Sequence, residues 1–476
     1  MADPEKECPA QKPEERGNEL SKSNQDKSEL FERMPVSRAL MIMAVPTIIS
    51  QLITLIYNIA DTWFIGRTNN PYMVAACSLT ATVFLMINSL SNLFGTGGGN
   101  LVVQLLGVKE EDEAKKVASL CLSLAFFSAL AFSLICLFWM NPLLKILGAS
   151  ENTLEYARQY LLFVVVIGGV PTVLSNTMST MLRNVGYSRE AAFGLGMGGV
   201  LNILLDPLFM FVLLPDGMQV MGAGIATMLS NVISLIYYII MYHRVHTRTV
   251  LSLPRRMEKV RTDSLRAIFS VGLPAAATLI FYDMCNITIN MLSASHGDIE
   301  LAAIGIVLKV ERLPLNIGIG ICLGMMPLVA YNFAAKNEQR MKAFFTTART
   351  YGFIISLICL VLYRVFAADI MRAFIADEAT VSLGTTFLQA RCFAPPMMFL
   401  SFHMVHYMQS IRHGIVSFWL AFIRFICLNI PMLFLLNSLF GMNGIIWTQF
   451  SADAINVVIS YIIYARVSKK QNALAD

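Results

Sequence analysis

Long stretches without a charged side chain constrain this sequence more than any other feature. Residues 39–60, 117–144, 217–242 and 425–452 contain no Asp, Glu, Lys or Arg. Each stretch can cross a hydrocarbon core of roughly 30 Å as a helix, which takes about 20 residues. Because lipid offers backbone polar groups no water to bond, such segments are expected to fold as helices. The sequence therefore predicts an all-α polytopic membrane protein.

The remaining apolar runs bring the number of expected transmembrane helices to twelve. Of the 476 residues, 56% are apolar and only 14% are charged, which is too little charge to cover a soluble protein of this size. The helices are predicted near 39–66, 74–106, 117–144, 155–182, 190–214, 221–243, 267–293, 301–333, 345–368, 383–410, 415–438 and 442–465.

The first 35 residues have a different composition. They mix both charge signs with Pro, Ser, Gln and Asn and lack an apolar core, so residues 1–35 are expected to form a disordered cytoplasmic tail. They contain no apolar region of the kind that a signal peptide needs. The first helix is therefore expected to act as the insertion signal.

The distribution of Lys and Arg predicts the orientation. With twelve spans, both termini lie on one side, together with the loops "HRVHTRTVLSLPRRMEKVRTDSLR" and "KNEQRMK". The opposite loops, such as "RTNNPY" and "PDGMQ", are short and poor in basic residues. Because basic loops stay in the cytoplasm, both termini are predicted to be cytoplasmic and the protein to lie in the plasma membrane. This asymmetry accounts for most of the net charge of +5, so nucleic-acid binding is not expected.

The chain also repeats itself. After a shift of 227 residues, "GGGNLVVQLLGVKEEDEAKK" at 97–116 falls on "GMMPLVAYNFAAKNEQRMKA" at 324–343, with Gly97 on Gly324. The repeat predicts two pseudo-symmetric six-helix bundles, an N-terminal lobe at 36–245 and a C-terminal lobe at 266–470, joined by a cytoplasmic linker at 246–265. An even number of spans gives both lobes the same orientation, as in transporters whose two halves rock around a central cavity.

The order of several motifs resembles one known family. "PTIISQLITLIYNIADTWFIG", "LNILLDPLF", "GAGIATMLSN" and "GMMPLVAYNFAAKN" are similar to segments of the multidrug and toxic-compound extrusion (MATE) transporters. The resemblance spans about residues 36–468. It implies two six-helix lobes, a central cavity, and drug export driven by inward flow of Na⁺ or H⁺.

Polar residues in the first six helices point to an ion site. Asp61 shares a helix face with Asn58 and Thr54, and Asn202 and Asp206 are four residues apart. Carboxylate, amide and hydroxyl oxygens suit a hard cation such as Na⁺. Two nearby carboxylates could equally take up a proton, because burial favours the neutral acid. Separate structural roles for the two acids are the alternative.

The MATE resemblance implies the same residues. Some members use an acid in the first helix, an Asn and an Asp four apart in the fifth, and a Thr in the sixth. In this sequence those positions are Asp61, Asn202, Asp206 and Thr227. Pro207 cannot donate to the carbonyl of Ile203, so a free backbone oxygen is expected beside the site.

The second half contains a further group of intramembrane polar residues. Asp283 and Asn286 share a face in the seventh helix, and a second-lobe polar site could include them together with Arg424 and Asp453. For Arg424 and Asp453 a structural ion pair is favoured over a switching pair. His403 and His406 could share a face of the tenth helix, with cavity lining or packing favoured over metal binding.

These observations favour a secondary antiporter that exports small amphipathic or cationic compounds. A flippase for lipid-linked precursors is the related alternative, and an intramembrane enzyme or a receptor is the alternative of another class. No catalytic constellation is visible, so an enzyme is not expected. We expect no cofactor beyond the coupling ion, no metal beyond Na⁺, drug-like substrates and the lipid bilayer as partners, and a monomer.

The predicted topology can be tested by cysteine labelling. In a background without native Cys, Arg256→Cys and Asp216→Cys should react with membrane-impermeant reagents from opposite sides, Arg256→Cys from the cytoplasm. Labelling of both positions from the same side would contradict the helix count.

Overall fold

A computed structural model describes residues 29–68, 70–253 and 260–475, and its main elements are twelve helices. Two of the helices are built from two segments each. In chain order they are α1 (Val36–Gly66), α2 (Pro71–Gly107), α3 (Glu111–Phe138), α4 (Glu151–Ile167 and Gly169–Asn184), α5 (Ser188–Leu213), α6 (Gln219–Val245), α7 (Thr262–Ala294), α8 (Asp298–Ala334), α9 (Glu338–Val365), α10 (Glu378–Arg391 and Ala394–Ser410), α11 (Gly414–Phe440) and α12 (Met442–Ala475). Short helices at Met140–Ile146 and Ala367–Phe374 follow α3 and α9.

All twelve predicted helices are present. Ten are long and apolar enough to span a membrane alone, and α4 makes eleven when its two segments count as one span. The two segments of α10 have 14 and 17 residues, so neither is as long as the 18 residues required here of a membrane-spanning helix.

The prediction of continuous helices at 155–182 and 383–410 was wrong. α4 bends by 48° at Gly168, directly after a π-helical turn at Leu162–Ile167. α10 breaks at Cys392 and Phe393, before two consecutive prolines that cannot donate backbone hydrogen bonds.

Helix packing follows the internal repeat. In the first lobe α1 packs on α5, α2 on α4, and α5 on α6; in the second lobe α7 packs on α11, α8 on α10, and α11 on α12. The molecule therefore consists of two six-helix lobes with the same internal arrangement. The exact domain boundaries, at 36–245, 246–265 and 266–470, remain a prediction, and residues 254–259 of the linker lie outside the described part.

The lobes meet through α1 against α8 and α2 against α7. The repeat-related Gly97 and Gly324 lie at these two contacts. A Cβ atom on Gly324 would lie 2.6 Å from the Cα of Ala44, and one on Gly97 would lie 2.9 Å from the Cα of Gly272. Both distances are too short for a side chain, so the absence of one lets the helix backbones approach closely.

Hydrogen bonds between the lobes close one end of this interface. The side-chain amide of Asn100 donates to the carbonyl of Gln409 (2.5 Å), and that of Gln104 donates to the carbonyl of Ser410 (2.8 Å). Arg412 also donates to the side chain of Gln104. We call this the sealed end. It is the end that carries the N-terminus and the predicted cytoplasmic loops.

Disorder was a wrong prediction for the last residues of the tail. Glu29–Arg33 form a π-helical turn, and Leu30 and Phe31 are buried. The ring of Phe31 stacks on Tyr331 of α8 at 4.8 Å. Arg340 of α9 donates to the carbonyls of Phe31 (2.7 Å) and Met34 (2.6 Å). We call residues 29–34 the N-terminal segment; residues 1–28 lie outside the described part.

The N-terminal segment connects the two lobes at the sealed end. It continues directly into α1 of the first lobe, and Leu30 lies against Gly186 in the loop between α4 and α5. On the other side, Asn332 of the second lobe donates to the carbonyl of Phe31, at 3.1 Å. The expectation that residues before 35 have nothing to bury therefore fails for this segment.

We predict that Phe31→Ala destabilises the protein. Loss of a buried, stacked ring should lower the free energy of unfolding by about 3 kcal/mol. The melting temperature in detergent would show this loss, whereas Arg33→Ala, which changes an exposed side chain of the same turn, should melt like the wild type. Equal melting of all three proteins would mean that the segment does not hold the lobes in solution.

Candidate functional site

A central cavity lies between the lobes. Its volume is about 430 Å³, and helices of both lobes contribute to its wall. Polar side chains of the first lobe include Thr54, Asn58 and Asn176, and those of the second include Asn316 and Gln409. The cavity is large enough for a small organic molecule.

A separate polar cluster lies inside the first lobe, away from the cavity lining. The side-chain amide of Asn202 donates to Asp206 (3.4 Å) and to the hydroxyl of Thr227 (3.3 Å). Asn202 and Asp206 are buried, with 3% and 0% of their surface exposed. The structure thus brings together three of the four residues predicted for the ion site through direct hydrogen bonds.

Asp61 approaches the same cluster from α1. α1 packs directly on α5, the helix that carries Asn202 and Asp206, and Asp61 is a half-buried residue whose Oδ1 is buried. Neither residue forms an ion pair with a basic side chain among the described residues. The cluster therefore holds two acids and no compensating cation, which is costly inside a membrane protein.

Three oxygens of the cluster lack hydrogen-bond partners. Asp61 Oδ1, Asn202 Oδ1 and Asp206 Oδ2 are buried and unsatisfied. Buried oxygens without donors indicate a missing ligand, and this set could hold a hard cation or a shared proton. No group of three or more His, Cys, Asp or Glu with the arrangement of a metal site occurs in the described ranges.

The other polar residues of the stripe predicted with Asp61 lie elsewhere, and so do two serines of α6. Thr54 and Asn58 line the central cavity, not the Asp61 cluster. In α6, Ser230 donates to the carbonyl of Ala226 (2.8 Å) within the helix, and Ser234 to that of Gly194 in α5 (3.2 Å). Both hydroxyls are satisfied by backbone groups, so these two serines contribute to the packing of α6 and not to an ion site.

Pro207 lies inside α5, and the helix changes to a π-helical turn directly after it, at Phe209–Leu213. Helices loosened in this way often occur at functional sites. This backbone irregularity follows the Asn202 and Asp206 positions immediately, and the free carbonyl expected at Ile203 stays a prediction.

The second lobe holds a buried ion pair. Arg424 donates to Asp453 at 2.5 Å, and both side chains are at most 1% exposed. Gln449 donates to the other carboxylate oxygen of Asp453 (2.5 Å) and accepts from Asn429 (3.0 Å). The guanidinium also lies 4.2 Å from the ring centre of Phe402. The predicted pairing of Arg424 with Asp453 is confirmed.

The four residues proposed for a second-lobe site do not form one site. Asp283 lines the central cavity, while the Arg424–Asp453 pair lies within the lobe. Asn286 donates to the carbonyl of Tyr282 in its own helix (3.0 Å). Asp283 and Asn286 are three residues apart, yet only the acid belongs to the cavity lining, so the predicted grouping was wrong.

The two histidines of α10 also separate. His406 lines the cavity, and its Nδ1 bonds the carbonyl of Phe402 at 2.7 Å. His403 is buried with its ring centre 4.6 Å from that of Phe345. Cavity lining and helix packing, the favoured readings, describe their positions.

Sequence reasoning missed three charged residues: Glu311, Arg312 and Arg183. Glu311 and Arg391 form a second buried ion pair at 2.8 Å. Arg312 and Arg183 line the cavity. The charged run "KVER" at 309–312 lies inside the helix predicted at 301–333 and already indicated Glu311 and Arg312. Arg183 lies one residue beyond the helix predicted at 155–182, whereas the structure places it in the last turn of α4.

The MatE family model matches the chain twice, at residues 46–208 and 274–435. The two matches fall on corresponding parts of the two lobes, in agreement with the internal repeat. Together they cover more than half of the chain.

Similar proteins agree with this match. The multidrug export protein MepA of Staphylococcus aureus is 29% identical over 433 residues, covering 91% of this chain and 94% of the relative. MepA of Staphylococcus haemolyticus is 29% identical over 436 residues, with coverage of 91% and 95%.

Solved structures share the fold. The outward-facing conformation of a multidrug resistance MATE family transporter of the MOP superfamily superimposes with a TM-score of 0.87 at 20% identity, covering 94% of this chain and 99% of that one. A MOP superfamily transporter from Pyrococcus furiosus, described as having a binding pocket of reverse polarity, gives 0.85 at 21% identity, with coverage of 93% and 98%.

The missed ion pair generates a prediction about stability. Arg391→Met leaves Glu311 as an unpaired buried charge and should lower the free energy of unfolding by about 3–5 kcal/mol. The double variant Glu311→Leu, Arg391→Met removes both charges and should recover most of that loss. The free energies of unfolding in detergent of the wild type, both single variants and the double variant form a double-mutant cycle. If the losses of the two single variants add up to that of the double variant, the two side chains do not interact.

Proposed function

Because the chain belongs to the MatE family, we propose that it is a secondary active transporter that exports small amphipathic compounds in exchange for Na⁺ or H⁺ by alternating access. Relatives of near-full length are multidrug export proteins, which supports drug-like substrates. The protein acts in the plasma membrane with both termini in the cytoplasm.

One observation supports the location of ion coupling. In the first lobe, Asp61 and Asp206 form no ion pair with a basic side chain among the described residues, and one oxygen of each is unsatisfied. In the second lobe, Glu311 and Asp453 are each paired with a buried arginine. An ion can therefore gain most in the first lobe, where it supplies the missing positive charge.

Ion binding would change the balance between two conformations of the transporter. A Na⁺ or proton neutralises the buried carboxyl cluster and so lowers the cost of keeping it dry. A ligand shifts a conformational equilibrium only through different affinities for the two states. The first-lobe cluster can have this property, since α1 carries Asp61 and also forms part of the contact with α8 of the second lobe.

The substrate would bind in the central cavity. The hydrogen bonds of Asn100 and Gln104 hold the lobes together at one end, and transport requires these contacts to open while the other end closes. Thr54 and Asn58 line the cavity on the same helix that carries Asp61, so movement of α1 would connect ion and substrate.

A flippase for lipid-linked precursors is the second candidate. Such a protein needs basic groups for phosphate, and Arg183 and Arg312 line the cavity. The export of drugs remains the first candidate because the relatives that match along 91% of the chain are multidrug export proteins.

Charge-neutralising variants test the proposed coupling. Asp61→Asn and Asp206→Asn keep the shape of the side chains but remove the charge, and each should abolish dye export driven by an imposed Na⁺ or pH gradient in proteoliposomes. Asp216→Asn, in the exposed loop before α6, should export like the wild type.

The same assay distinguishes the lobes. Asp283→Asn changes the cavity wall, so its export can be slower but should still depend on the gradient. Wild-type rates in both first-lobe variants, together with loss of gradient dependence in Asp283→Asn, would place coupling in the second lobe and contradict the proposal.

A further inference from the structure

The charges that line the central cavity do not match a purely cationic substrate. Three residues of its wall carry a formal charge: Arg183 from the first lobe, and Asp283 and Arg312 from the second. Two positive groups and one negative group give a sum of +1. Asp61 and Asp206 do not contribute to this wall, so the acids of the ion cluster do not make the cavity acidic.

Arg183 is unusual among these groups because it is buried. Only 7% of its surface is exposed, its Nε has no hydrogen-bond partner, and its guanidinium donates only a long bond of 3.4 Å to Thr180. No carboxylate lies within ion-pair distance of it among the described residues. A buried guanidinium without a counter-ion is costly, so a ligand that supplies the negative charge would gain free energy there.

The position of Arg183 fits a ligand site at the floor of the cavity. It lies in the last turn of α4, and Gln409 lies in the last turn of α10 at the sealed end. Both residues line the cavity, as do Thr180 and His406. Because Nδ1 of His406 donates to a backbone carbonyl, Nε2 of the neutral ring can only accept and gives an oxyanion no hydrogen bond. A guanidinium, a hydroxyl and an amide are the donors that recognise an oxyanion.

Asp283 and Arg312 lie on α7 and α8, in the wall of the same cavity. They form no ion pair with each other within 4.0 Å, so the carboxylate of Asp283 is accessible to a cationic group. A molecule that carries both charges could thus meet a carboxylate at the wall and a guanidinium at the floor.

We propose that the cavity floor binds the carboxylate of the exported compound through Arg183, and that zwitterionic amphiphiles are the preferred substrates. This inference rests on the proposed export function and names its substrate class. Asp283 binds the cationic group, and Arg183 distinguishes a zwitterion from a cation of the same shape.

Two dyes with one ring system provide the test. Tetramethylrhodamine methyl ester is a cation, and the corresponding free acid adds a carboxylate and is a zwitterion. Binding to the full-length protein in detergent is measured by fluorescence anisotropy, and gradient-driven transport is measured in proteoliposomes. Wild-type protein should bind the free acid more tightly than the ester.

Arg183→Gln should weaken binding of the free acid on the order of tenfold, the loss expected for one charge-assisted hydrogen bond, and leave the ester unaffected. Arg183→Lys, which keeps the charge, should recover part of the affinity. Arg189→Gln, the same substitution on an exposed arginine six residues further on, should bind both dyes like the wild type. Asp283→Asn should weaken both dyes, because both carry the cationic group.

Equal weakening of both dyes by Arg183→Gln, or no difference between the dyes in the wild type, would overturn the proposal. The melting temperature of Arg183→Gln should equal or exceed that of the wild type, because an unpaired buried charge is removed; a large decrease would show a structural role. Binding that depends on Arg183 without gradient-driven transport would instead contradict the proposed antiport and leave the binding site in place.

Discussion

The lack of water inside the membrane constrains where the charges within the helices of this protein can lie. Backbone groups must bond within helices, and each ionised side chain needs a partner, a cavity or a ligand. The second lobe meets this requirement internally, with Glu311 on Arg391 and Asp453 on Arg424. Among the described residues, the first lobe leaves Asp206 and Arg183 buried without ion pairs. Its uncompensated groups are the ones for which we propose an ion and a substrate.

The two lobes share a backbone plan but not their chemistry. "LNI" occurs at 201–203 and again at 428–430, so Asn202 and Asn429 are equivalent positions of α5 and α11. Asn202 bonds Asp206 and Thr227, whereas Asn429 bonds Gln449, which holds Asp453 against Arg424. The guanidinium of Arg424 is a permanent cation within the second-lobe network, whereas the first-lobe network offers unsatisfied oxygens. One duplicated framework thus carries one site with a permanent cation and one that an exchangeable ion could fill.

The twelve helices and the Arg424–Asp453 pair could be predicted from local sequence. Charge-free runs, and isolated charges within such runs, can be recognised without knowing which helices pack together. The break in α10 was missed although "PP" at 395–396 signals an interrupted helix, because the apolar run continues on both sides of it. Arg183 was missed because "RNVGYSRE" has the composition of a loop, and only the packing of α4 shows that its first residue lies at a cavity. The charged residues around Leu30 and Phe31 likewise led to a prediction of disorder. The two apolar side chains become buried only because α8 and α9 lie beside them in the fold.

The contacts of the N-terminal segment bear on the rate at which the two lobes can separate. Alternating access would require the two lobes to separate at the sealed end. The stacking of Phe31 on Tyr331 and the hydrogen bonds from Arg340 to the carbonyls of Phe31 and Met34 would then either break in each cycle or move together with one lobe. α1 follows the N-terminal segment, whereas α7 follows the linker between the lobes. The N-terminal segment can therefore affect how long one conformation persists, although none of its residues lines the central cavity.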